Sequence, residues 1–355
     1  MLLRVLGTAA GGGIPQWNCA CPSCTGARAH PARRRRHASL AVQAADDRWY
    51  VVNATPDIGD QIEDCPPLLP RPGTRQTPVA GIILTDAELD HTLGIARLRE
   101  ADAFEVLATA AVRTALRTRL HLGATLAPYA EVRWRDLPHA SPIALGPEPW
   151  PEPGRPTARP AVRPAVRPEA APAAASTGKP LVEVSAIPVS GKRPRYAAVD
   201  GGQNPGAGGP HAAPGETARP GSADPGHEGA GWSVALRITD RASGATALYA
   251  PAVATWSAAL ADAAAEAECL IVDGTFWDDE EPIRTGIGPR TATGMGHLPI
   301  VGPGGTAERL AALRARCLYT HLNNTNPLVD PDAAEHRRLA EWGIEVAADG
   351  MVIEL

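Results

Sequence analysis

The stretch Thr85-Asp86-Ala87-Glu88-Leu89-Asp90-His91 constrains this chain more than any other. It follows an apolar run, residues 79–84, that reads as a buried β-strand, and it precedes residues 92–100, which read as a helix. Carboxylates and an imidazole crowded at the end of a strand pack poorly, but they are good ligands for a divalent cation. A strand-to-helix turn is also a rigid place to hold them. The competing account is an acidic helix N-terminus, where Asp and Glu complement the positive end of the helix dipole. Two further strands tip the balance. Residues 269–272 run into Asp273, and residues 317–320 run into His321, so separate strands deliver Asp or His at their C-terminal ends. That is where α/β architectures gather functional groups.

The pattern predicts an α/β fold of two halves, each opening with strands and then alternating strands with helices. Such halves pack as two sheets face to face with helices outside. Hairpins are expected at 39–43 with 48–53 and at 232–239 with 245–249. The glycine run Gly11-Gly12-Gly13 follows a strand at 2–6 but lacks the Gly-Lys-Ser/Thr ending of a phosphate loop, so it reads as a tight turn beside a site. We read residues 1–355 as a single domain interrupted by two low-complexity insertions. One spans about 140–180 and is dominated by Pro, Ala and Arg; the other spans about 200–231 and is rich in Gly, Pro and Ala. Neither buries enough apolar surface to offset its ordering entropy, so both are expected to be flexible surface segments.

A formal net charge of -5 argues against a nucleic-acid partner, and the basic run Arg33-Arg34-Arg35-Arg36 has no wider basic surface or aromatic interleaving to support one. No apolar stretch approaches the length of a membrane span and no signal-peptide pattern opens the chain, so a cytoplasmic protein is expected. The 6 cysteines divide into a cluster, Cys19-Ala20-Cys21-Pro22-Ser23-Cys24, and the scattered Cys65, Cys269 and Cys317. Three thiols within six residues can converge on one soft cation, and Zn(II) is the usual occupant in a reducing compartment. A closed site of this kind serves folding. Its fourth ligand is open between His30, His37 and a residue near Asn323-Asn324. His297, in Gly294-Met295-Gly296-His297-Leu298-Pro299, sits in a glycine-flanked loop that can approach a substrate closely, which suits a general acid/base. His321 precedes a run of amide side chains, Leu322-Asn323-Asn324-Thr325-Asn326-Pro327, that suit a ligand with polar neighbours to orient it.

The order of these features resembles the metallo-β-lactamase superfamily, whose metal loop runs His-x-His-x-Asp-His. Aligned to it, Asp86 and Glu88 occupy the two leading histidine positions, while Asp90 and His91 match the last two. Within the superfamily the chain resembles the PqqB family of pyrroloquinoline quinone (PQQ) biosynthesis. The matching segments are Val5 through Gly13, Pro15-Gln16-Trp17-Asn18-Cys19, Thr85 through Gly94, Asp273-Gly274-Thr275-Phe276-Trp277, Met295-Gly296-His297-Leu298-Pro299 and Tyr319 through Pro327. The resemblance implies a four-layer αββα sandwich of two mixed sheets. It also implies an active-site metal on Asp90, His91, Asp273 and His321, with one superfamily metal position weakened by Asp86 and Glu88.

Two imidazoles and a carboxylate with open positions suit Fe(II) and O2 chemistry better than two-metal hydrolysis. The family resemblance implies an iron- and O2-dependent hydroxylation of the tyrosine ring of a Glu–Tyr cross-linked, peptide-derived precursor. In that reading His297 moves a proton at the phenol, Asp86 and Glu88 tune the pocket or bind ammonium groups, and a homodimer is allowed. The rival readings are a metallo-hydrolase of phosphodiesterase type and a carrier for the finished quinone.

Overall fold

The computed structural model describes residues 1–45, 47–139, 141–146, 182–198 and 231–355. Most of both expected insertions therefore lies outside the described residues. The strands, in chain order, are β1 (Leu2–Gly7), β2 (Ser39–Ala45), β3 (Arg48–Val52), β4 (Val79–Ile83), β5 (Ala103–Ala108), β6 (Glu131–Asp136) and β7 (Ile143–Leu145). The second set is β8 (Val182–Ser190), β9 (Ser233–Asp240), β10 (Thr246–Ala250), β11 (Cys269–Asp273), β12 (Arg316–Thr320), β13 (Ile344–Val346) and β14 (Val352–Glu354). β7 falls inside the stretch read from composition as the first insertion. Ile143, Ala144 and Leu145 pair antiparallel with β8, so ordered structure reaches further into that stretch than its proline content suggested.

Among the described residues the strands form two sheets, ordered β14-β1-β2-β3-β4-β5-β6 and β13-β12-β11-β10-β9-β8-β7. Each is mixed in the same way. The pairs from β14 to β3 and from β7 to β10 are antiparallel; those from β3 to β6 and from β10 to β13 are parallel. Both expected hairpins are present. Alternation of side chains across each strand gives every sheet two apolar faces. The inner faces share one core, in which Leu3, Val42 and Ile83 of one sheet meet Val184, Leu236 and Ile271 of the other. The outer face of the first sheet packs Val51, Ile82 and Val106 against Ile58 of the helix Ile58–Glu63 and Val112 and Leu116 of the helix Ala110–Thr118. The outer face of the second packs Leu248, Leu270 and Cys317 against Leu260, Leu310 and Leu339 of the helices Ala258–Glu266, Ala307–Ala311 and Glu335–Glu341. The layers are therefore helix, sheet, sheet, helix.

The parallel halves bring the C-terminal ends of β4, β11 and β12 to one edge of the sandwich. Backbone bonds tie the two sheets together there: Val234 N–H donates to Thr85, Leu322 N–H to Thr8 and Ala10 N–H to Leu322. The expected helix at 92–100 is instead a single α-turn, Leu89–Thr92, continuing as 3-10 turns over Leu93–Glu100. The cause is a close approach of backbones. Gly94 N–H donates to Ala54 O at 2.8 Å, and a Cβ on Gly94 would lie 2.0 Å from the carbonyl oxygen of Thr55. Gly94→Ala must push the metal loop away from β3; we expect a loss of about 2 kcal/mol or more, read as a lowered denaturant midpoint at unchanged slope.

The loops after β11 and β12 are joined by a buried carboxylate. Glu281 accepts from Trp277 N–H at 2.6 Å and from Thr325 Oγ1 at 2.7 Å. Burial pushes its pKa from 4.5 up to about 7, although both hydrogen bonds favour the charged form. The folded chain thus holds this proton more tightly than the unfolded chain, so stability falls as pH rises between about 4.5 and 7. Glu281→Gln keeps an acceptor for Trp277 and a donor for Thr325 and removes the titration. Denaturant curves across this window should show the variant gaining on the parent with rising pH, by on the order of 3 kcal/mol at the top.

Candidate metal centre

β4 ends at Ile83, and Asn53 takes over control of the chain beyond it. Asn53 lies in the left-handed region at φ 66, and its Oδ1 accepts from Thr85 N–H and lies 3.1 Å from Thr85 Oγ1. Thr85 Oγ1 in turn donates to Asp86 Oδ2 at 2.8 Å. The following turn directs Asp86 inward, where its Oδ2 lies 2.7 Å from His91 Nδ1. Its Oδ1 accepts from Glu88 N–H. Asp86 therefore orients an imidazole, and both of its oxygens are engaged.

With Nδ1 committed to Asp86, the His91 ring presents Nε2 to the site. That atom is buried and has no hydrogen-bond partner, a costly state for a nitrogen unless something binds it. It lies 3.7 Å from Asp90 Oδ2, which in turn lies 3.9 Å from His321 Nε2. Asp90, His91 and His321 offer ligand atoms within 4.8 Å of one another. His321 reaches this position because the chain leaves β12 in the left-handed region, with φ 58, which turns the imidazole off the sheet. Its Nδ1 is fixed by Thr275 Oγ1 at 2.8 Å. Electrostatics favour a cation here. Burial opposes charge on His91, yet Asp86 and Asp90 overcome it and push its pKa up to about 9. Asp90, which is half-buried, is held well below the usual carboxylate range by His91 and His321, against the desolvation that opposes its charge. Gly11 lets the N-terminal loop close over this group, since a Cβ there would lie 3.1 Å from Asp90 Oδ2.

Asp273, at the end of β11, is fully buried beside the cluster. Its Oδ1 accepts from Thr275 N–H and Oγ1, and its Oδ2 accepts from Val253 N–H at 2.7 Å and lies 2.8 Å from His297 Nδ1. Four contacts from three residues thus occupy the carboxylate, which orients His297 much as Asp86 orients His91. The His297 ring stacks on His321 with centroids 5.6 Å apart, and His91 meets His321 edge-on at 5.4 Å. Asp273, His297 and His321 form a second group whose ligand atoms lie within 4.8 Å. Asp86, Glu88, Asp90, His91, His297 and His321 all line one cavity of about 1070 Å³. Asp273, the remaining residue expected at this edge of the fold, is not in that lining; it is fully buried beside it. Thr275 was missed, although it sits two residues after Asp273 and donates to or accepts from three of these side chains.

The thiol cluster lies nearby. Cys19, Cys21 and Cys24 place their Sγ atoms within 4.8 Å of one another, with Cys21 capping the helix Pro22–Ala29. Of the three candidates for a fourth partner, the amide segment is the one that reaches them. Asn324 Nδ2 lies 3.2, 3.3 and 3.5 Å from the three sulfurs. His37 is engaged elsewhere, with Nδ1 3.1 Å from Asp57, and His30 is exposed at the end of the helix. A soft cation held by three thiolates fits this donor set, with the Asn324 amide group as a hydrogen-bond donor to the sulfurs.

Among the described residues no helix is long and apolar enough to cross a membrane. A family model described as a beta-lactamase superfamily domain matches residues 48–321. The chain is 35% identical over 360 residues to the coenzyme PQQ synthesis protein B of Azoarcus sp., covering 100% of both chains. It is 36% identical over 358 residues to that of Pseudomonas paraeruginosa, again covering 100% of each. The zinc-bound PqqB of Methylobacterium extorquens superposes with a TM-score of 0.75 at 28% identity, covering 100% of both chains. With its two mixed sheets and its strand-end cluster of Asp90, His91 and His321, the chain belongs to the coenzyme PQQ synthesis protein B family of the metallo-β-lactamase superfamily.

Proposed function

We propose that the chain takes part in PQQ biosynthesis as a non-haem iron oxygenase that hydroxylates the tyrosine ring of a Glu–Tyr cross-linked, peptide-derived precursor. The observation that carries this reading is the Asp90–His91–His321 group beside engaged Asp86 and Asp273 carboxylates. One position with two imidazoles and a carboxylate suits Fe(II), whereas two-metal hydrolysis wants a second position with free ligands. Asp90, His91 and His321 would hold the iron, with Asp273 bordering it; Cys19, Cys21 and Cys24 would hold a structural Zn(II). Bound iron supplies the activation of O2. In the overall reaction one oxygen atom replaces a ring hydrogen as hydroxyl, and the other leaves as water, using two electrons and two protons from an external reductant.

The chain's own residues do the rest. Asp86 keeps His91 in the tautomer that exposes Nε2, and Thr275 does the same for His321. His297, oriented by Asp273, faces the cavity and moves a proton at the substrate's phenol. Glu88 lines the same cavity and faces the substrate's ammonium group. The six free thiols suit a reducing cytoplasm.

The test loads the chain anaerobically with Fe(II) and adds the cross-linked substrate, ascorbate and isotopically labelled O2. Label in the product's ring supports the reading; turnover of a phosphodiester by the chain with two equivalent active-site metals overturns it. Asp86→Asn should weaken metal binding at the histidine site roughly 10–100-fold in competition with a chromophoric chelator, with the thiol site unaffected.

A further inference from the structure

Each sulfur of the thiol cluster accepts one backbone N–H besides the Asn324 amide. Cys21 N–H lies 3.4 Å from Cys19 Sγ, Cys24 N–H 3.5 Å from Cys21 Sγ and Gln16 N–H 3.3 Å from Cys24 Sγ. Neutral thiols are weak acceptors, whereas a charged acceptor makes hydrogen bonds roughly twice as strong. This shell of donors therefore grips the cluster when a cation holds the sulfurs as thiolates. Asn324 depends on that grip most. Its side chain is buried, and among the described residues the three sulfurs are the partners of its Nδ2.

Two paths lead from these donors to the histidine cluster. Asn324 lies in the loop that begins at His321, and His321 sits at φ 58, a conformation that a non-glycine residue keeps only when its surroundings hold it. The same loop is tied to the end of β11, where Asn323 N–H donates to Thr275 O at 3.1 Å and Asn326 Nδ2 to Gly274 O at 2.7 Å. Thr275 Oγ1 in turn fixes His321 Nδ1. The second path runs through Gln16. Its side chain fills the space a Cβ on Gly12 would need, and the neighbouring Gly11 stands against the Asp90 carboxylate.

We propose that the thiol centre sets the affinity of the histidine centre, with Asn324 as the positioning residue between them. A cation on the thiolates anchors Asn324, and Asn324 fixes the loop that turns His321 Nε2 toward Asp90 and His91. The histidine centre is then complete only after the thiol centre is filled. This rests on the reading of both clusters as metal centres, not on the oxygenase chemistry.

Mn(II) is the probe, because a hard cation accepts imidazole and carboxylate ligands and avoids thiolates. The full chain, carrying zinc on its thiols alone, is titrated with Mn(II) while the electron paramagnetic resonance signal of the free ion is read. His91→Ala should abolish binding, which locates the probe. The zinc-loaded parent should bind Mn(II) roughly tenfold or more tightly than the same chain with its zinc removed. Zinc-loaded Asn324→Ala should bind as weakly as the zinc-free parent, and removing its zinc should change the affinity by less than about twofold. Asn324→Leu, which keeps the volume and removes the donor, carries the same expectation. A merely structural role for Asn324 would weaken both forms alike and keep the zinc effect. Mn(II) affinity within about twofold of the parent in both zinc-loaded variants overturns the coupling. The two readings fail separately. A zinc effect on Mn(II) without ring hydroxylation by the Fe(II)-loaded chain leaves the coupling and removes the oxygenase. Hydroxylation with a Mn(II) affinity indifferent to Asn324 does the reverse.

Discussion

The site depends on the 2.7 Å contact between His91 Nδ1 and Asp86 Oδ2, made where both side chains are buried. It decides which nitrogen of His91 is free, and it removes Asp86 from the set of available ligands. In the superfamily pattern that position carries a histidine, so one substitution changes a ligand into the support of a ligand. Asp273 repeats the device on the other sheet, where it fixes His297. Two buried carboxylates thus hold two imidazoles, and Asp90 is the acid left facing the gap between His91 and His321. The asymmetry read from the loop has this contact as its physical basis.

Much of the fold was legible because its strands are short apolar runs that end in residues a core would reject. The breaks at Asp86, Asp273 and His321 are visible in a single sequence, since they interrupt burial at a position where a loop must begin. The 3-10 path after Thr92 was not legible. It comes from the approach of Gly94 to the backbone of Ala54 and Thr55, a contact between segments far apart in the chain. β7 was hidden for a different reason. Three residues of strand inside a proline-rich stretch carry too little pattern to be seen, and they order only by pairing with β8.

The same limit applies to the site. Thr275 and Asn324 stood inside segments that had been singled out, but their roles depend on groups that only folding brings near. Lys192, Arg193 and Arg195, which line the cavity, stand in a segment that carries no motif, and a basic residue in a sequence does not reveal whether an acid will meet it. The acidic loop and the cationic rim become one site only when β4 and β8 are placed in facing sheets. Charge in this cavity is a product of topology.

The first and last strands bear on how the protein is made. β1 pairs with β14, so Leu3 meets Ile353, and Thr8 and Ala10 bond to Leu322 just beyond β12. The earliest synthesised strand therefore waits for the latest before one of its edges is covered. Until then the loop that carries Gly11 has its bonds to Arg35 and Arg36 but lacks those to Leu322, and His321 has not yet emerged. Metal chemistry at this edge is closed to a nascent chain. Contacts of such long range are slow to form and leave strand edges open to other chains in the interval.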